Sequence, residues 1–229
     1  MPTPSEHIKT APPLSGLSTP RAAALAGVLF AVLLGTTLVW IRITMPEHVE
    51  DSTQWLQSRH GAITTATVLM PFAGISFLWF IGVVRDGFGR YEDRFFVSVF
   101  LGSGLLFLAM MFVATADAAG LEASNTSAAD PAARAEVIRF GRMVLISASQ
   151  TYALRMAAVF MISLATIWLK TRLMPRWLVG LSYLTALAVL IAGDMSRWVT
   201  LAFPAWVLVV SGLLLTRAGP IDKRRAEPD

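Results

Sequence analysis

The stretch 149–170, SQTYALRMAAVFMISLATIWLK, decides the fold: it is apolar enough to cross a bilayer, yet it carries Arg155 in its interior. An arginine near mid-bilayer costs about 2.5–3.5 kcal/mol on insertion scales, so it is expected to face the bundle interior or water and to be paired. Around it lies a chain of 229 residues that is 55% hydrophobic and only 15% charged, against roughly a quarter charged in soluble domains. The mean hydropathy is +0.61. A spanning helix needs about 20 apolar residues, and six apolar runs of suitable length follow one another at roughly 22–41, 62–84, 95–116, 143–169, 177–193 and 198–216. Backbone polar groups in lipid have to be satisfied within the segment, and strands of alternating polarity are missing from these runs. The expected fold is therefore all-α: a polytopic membrane bundle of six transmembrane helices, N-in/C-in.

Its expected organisation is a disordered cytoplasmic tail over 1–20, a transmembrane domain over 21–217 and a cytoplasmic tail over 218–229. The first twenty residues are polar and proline-rich. The run from Arg21 to Ile43 is long for a cleaved signal and reads as a retained helix. Orientation follows from lysine and arginine. Twelve lie in the N-terminal tail, the 85–94 and 170–176 loops and the C-terminus, six lie on the opposite side, and Arg155 completes the nineteen. The twelve-residue side is expected in the cytoplasm, the protein in the plasma (inner) membrane, and the basic loops against anionic lipid. On the other side, Asp130-Pro131 reads as an N-cap with proline at the first helical position, so helix four begins outside the bilayer. Residues 51–60, with Trp55, suggest an interfacial helix.

Height along each helix, counted at about 1.5 Å per residue from the cytoplasmic basic anchors, gathers the polar residues into one region. Arg155 sits about 22 Å up, Asp194 about 27 Å, Arg197 about 30 Å and Asp117 about 34 Å. Side chains on a helix lean toward its N-terminus, so Arg155 is expected to reach toward Asp194 first and Asp117 second. Thr151 and Tyr152 stand one turn away on the same face, and Gln150 adds an amide. Pro71 and Pro204 fall at similar heights, about 20 Å, and kinks there would splay the outer ends of two helices. The expected ligand-binding set is Arg155, Asp194, Asp117, Arg197, Tyr152, Thr151 and Gln150, around a pocket floored by Arg155. The same residues also suit a plain structural ion pair that fixes helix register.

Several chemistries lack their residues. No cysteine is present, and His7, His48 and His60 all lie outside the apolar runs, so thiol chemistry and a haem held between helices are excluded. No lysine lies in a span, and no zinc-protease or Walker motif occurs. No cofactor or metal, no nucleic-acid partner and no catalytic set is expected. The small residues Ala23, Gly27, Ala31 and Gly35 recur every four positions and offer a close helix contact, as does the GSG at 102–104. Six tryptophans, Trp40, Trp79, Trp168, Trp177, Trp198 and Trp206, read as an aromatic belt.

The stretches 77–112 (FLWFIGVVRDGFGRYEDRFFVSVFLGSGLLFLAMMF) and 168–184 (WLKTRLMPRWLVGLSYL) resemble a group of six-helix membrane proteins common in actinobacteria. The resemblance covers about residues 25–215 and implies the topology; it implies no activity and no site residues. The expected function is that of a structural or accessory integral membrane protein. The alternative is a small permease, or a solute- or anion-binding membrane subunit using Arg155.

Overall fold

The structure, a computed structural model, describes residues 19–44, 60–88, 94–125, 130–193 and 197–225. These form helices α1 (Thr19–Thr44), α2 (His60–Asp86), α3 (Arg94–Asn125), α4 (Pro131–Ile146), α5 (Leu154–Thr171), α6 (Arg176–Ala192) and α7 (Ala202–Arg225). A π-helical segment, Ser147–Ala153, joins α4 to α5 as one rod, and a 3₁₀ segment, Arg197–Leu201, leads into α7. The described chain is thus six helical rods without a strand. Five are long and apolar enough to cross a membrane, which suits a membrane-embedded protein. α6, at 17 residues, stands at the short limit of a spanning helix.

Several elements outrun the apolar runs that announce them. α3 spans 32 residues and the fourth rod starts at Pro131, so both extend well past a hydrocarbon thickness of about 30 Å. Asp130 caps this start: its carboxylate accepts from the Ala132 amide at 3.0 Å, and Pro131 occupies a position where a missing N–H costs nothing. α7 continues to Arg225, beyond residue 217. Pro71 lies inside α2, whereas Pro204 lies in the first turn of α7, directly after the 3₁₀ segment. Residues 51–59, with Trp55, lie outside the described residues.

Four buried serines are met locally, whereas the buried Ser211 Oγ has no partner among the described residues. Ser76, Ser103, Ser163 and Ser182 each donate to the carbonyl four residues back, at 2.7–2.8 Å. Apolar rings fill the centre. Phe77 of α2 meets Phe30 of α1 at 4.5 Å, Phe160 of α5 at 5.4 Å, Phe107 of α3 at 5.5 Å and Phe203 of α7 at 5.8 Å between centroids. Five of the six rods therefore meet at one cluster, and it works through contact, since lipid tails are as apolar as the rings. Trp168 and Trp206 join this core: both are 3% exposed, and Trp206 Nε1 donates to Ser182 Oγ at 2.9 Å. The belt is therefore left to Trp40, Trp79, Trp177 and Trp198, which are exposed.

Close approach depends on a few glycines. A Cβ on Gly27 would run into Ser211 Oγ of α7 and the Phe80 ring of α2, and one on Gly104 would meet Ile81 and Phe160. Gly27 thus lets α1 nest between α2 and α7, an intramolecular use of the small-residue stripe. Gly35, two turns on, has nothing within 4 Å of its built Cβ. Gly27→Ala is expected to lose about 1–3 kcal/mol through overpacking. Gly35→Ala is expected to hold or gain up to about 1 kcal/mol of helix propensity. Thermal unfolding of both variants in detergent checks the contrast.

Candidate functional site

The fourth rod carries a defect at the level of Arg155. Two contacts pin it to α3: Gly104 against Phe160, and Leu121 against Gly141. Between these contacts α3 spends seventeen residues and the rod spends nineteen. A π turn, with bonds from i to i+5, widens the helix without ending the rod, and Ser147–Ala153, between the two contacts, adopts it. Where α5 resumes, bond spacing steps back to four.

Arg155 lies just past this junction, in the first turn of α5. Its Nη1 donates to the Thr151 carbonyl at 2.9 Å, folding back one turn toward the helix N-terminus. The guanidinium is partly buried. Thr151 is half-buried beside it, whereas Tyr152 is 58% exposed and faces away from the bundle. Gly193, at the end of α6, packs near the Gln150 carbonyl and Leu154. Asp194 lies outside the described residues, as does the side chain of Arg197, whose backbone opens the 3₁₀ segment. Asp117 is half-buried on α3, with Oδ2 enclosed and no hydrogen-bond partner among the described residues. Of the expected set, Arg155, Thr151, Tyr152, Gln150 and Asp117 are described, and a hydrogen bond joins Arg155 to Thr151.

Gln150 opens onto a cavity of about 60 Å³. α1 contributes Thr37 and Leu38, α2 contributes Ile63, Ala66 and Met70, and α3 contributes Met111, Ala114, Thr115 and Ala118. Leu145, Ile146 and Ser149 complete it beside Gln150. Arg155 and Asp117 are not on this wall, and no charged residue is. Most of these wall residues carry no chemical signal in the sequence. Their height does: Met70 and Met111 lie about 22 and 26 Å from Arg85 and Arg94, level with Arg155. Among the described residues no three His, Asp or Glu side chains gather to hold a metal. The opposite end of the bundle exposes Arg85, Arg94, Lys170, Arg172 and Arg176. There Lys170 Nζ stands 4.5 Å from the Phe96 ring centre, and Arg172 ends α5 in the left-handed conformation.

No family model, no curated protein and no solved structure matches the chain. The functional reading therefore rests on these residues.

Proposed function

We propose that the chain is a multi-pass plasma-membrane protein of structural or accessory kind, without catalysis of its own, in which Arg155 secures a π-helical insertion in the fourth rod. The observation that carries this reading is the 2.9 Å bond from the guanidinium to the Thr151 carbonyl of its own helix. A guanidinium kept to receive an anion would be expected to line an accessible pocket, and the neighbouring cavity has no charged wall. The permease or anion-binding alternative uses the same guanidinium, and the Arg155 variant separates the two readings. The end rich in lysine and arginine is proposed to face the cytoplasm, with both termini, and to meet anionic lipid headgroups; its exposed Arg85, Arg94, Lys170, Arg172 and Arg176 support that contact. Kinship with the six-helix actinobacterial proteins is a proposal of the same standing, carried by residues 77–112 and 168–184.

Arg155→Met removes the guanidinium's bond to the Thr151 carbonyl. The expected loss is about 1–2 kcal/mol, or roughly 2–8 °C in Tm. Adding phosphate should change neither the wild type nor the variant. An unchanged Tm in Arg155→Met, with a wild-type Tm that rises in phosphate only while Arg155 is present, would transfer the reading to anion binding. Orientation has its own check, because the chain contains no native cysteine. Asp130→Cys is expected to react with an impermeant maleimide on intact cells, and Arg172→Cys only after the cells are opened; the reverse pattern would invert the topology.

A further inference from the structure

We propose that the cavity between α1, α2, α3 and the π segment is a binding site for a hydrocarbon chain of a lipid. The proposal goes beyond the structural reading of Arg155; it rests on the bundle lying in a bilayer and not on the role of that residue.

The apolar interior of the bundle is interrupted here. Leu38, Met70 and Met111 belong to the main core, whereas Ile63 and Ile138 form a small cluster of their own, with Ala118 packed against it. The cavity touches both sets, with the main core on one side and Ile63 and Ala118 on the other. Protein interiors are normally close-packed, with few voids larger than a water molecule. The gap lies between two finished apolar surfaces, and a third apolar body would join them.

The chemistry of the wall selects that body. Thr37, Thr115 and Ser149 are the hydroxyl residues on it. Each donates to the carbonyl four residues back, of Leu33, Met111 and Leu145, at 2.7–2.8 Å. What they have left for the cavity is chiefly methyl, methylene and acceptor oxygen. A buried water needs two to four polar partners, and an ion needs charge or a shell of oxygens; the wall is poor in both, with Gln150 its one amide. The size also fits a chain. One water-sized group needs roughly 10–15 Å³ of such volume, so the space takes about four or five groups in a row, the terminal run of a saturated tail. Met70 and Met111, unbranched and adaptable, can shape themselves to a mobile chain.

Purified protein in lipid nanodiscs is to be photolabelled with palmitic acid carrying a diazirine near its methyl end and, in a parallel arm, with a phosphatidylcholine carrying the same group. Labelled residues are located by mass spectrometry. Met111 and Ala114 are expected to be labelled, alongside the exposed Leu105 and Leu106 on the same helix. Excess unlabelled palmitic acid or phospholipid should cut labelling at Met111 and Ala114 at least fivefold and leave Leu105 and Leu106 unchanged. The arm in which this holds identifies the chain as free or esterified. Ala114→Leu and Ala66→Leu, which fill the space, should abolish the competed labelling only. Labelling at Leu105 and Leu106 with none at Met111 or Ala114, or cavity labelling that excess ligand does not reduce, would overturn the proposal. The competition arms use the wild-type protein, so they decide even if the filled variants do not fold. Absence of label at Leu105 and Leu106 as well would instead overturn the membrane reading beneath it.

Discussion

In hydrocarbon, a backbone carbonyl or amide without a partner costs several kcal/mol, and no solvent stands ready to supply one. This requirement explains why the chain is helical and why Ser76, Ser103, Ser163 and Ser182 bend back onto the carbonyl one turn before. A π segment interrupts the fourth rod, the bond ladder changes step, and just past it Arg155 reaches the Thr151 carbonyl. The positive charge costs energy to insert, and part of its hydrogen-bonding capacity is met by the backbone of its own helix.

A bundle built this way derives its cohesion from shape. The phenylalanines that meet at Phe77, and glycines such as Gly27 and Gly104 that admit neighbouring side chains, give five rods a common centre. Shape complementarity fails in one place, beside the π segment, where two apolar clusters stop short of each other. The π segment whose Thr151 carbonyl Arg155 bonds also contributes Ser149 and Gln150 to the cavity wall.

The helical class, the positions of the rods and the cap at Asp130 were legible in the sequence, because hydropathy and local capping are read along the chain. Arg155 was legible as an anomaly for the same reason. The Thr151 carbonyl it donates to was not, because a backbone acceptor leaves no mark in the side-chain sequence; Asp194, the carboxylate expected beside it, lies outside the described residues. Tyr152 illustrates the same limit. Sequence spacing set it one turn from Arg155, but the wider π turn rotates successive side chains differently, and it faces outward. Trp168 and Trp206 read as belt residues because they lie near run ends, and only the packing of α5 against α7 shows them indoors. The cavity wall is spread over four rods and consists of residues with no signature beyond their height.

Magic-angle-spinning NMR of the protein in lipid bilayers, with the Thr151 carbonyl carbon and the Arg155 guanidinium nitrogens isotopically enriched, addresses the central claim directly. A dipolar coupling that brings one terminal nitrogen within hydrogen-bonding reach of that carbonyl is the expected result. A guanidinium with no such coupling, directed instead at acyl chains or at an acidic side chain of a neighbouring rod, would contradict it.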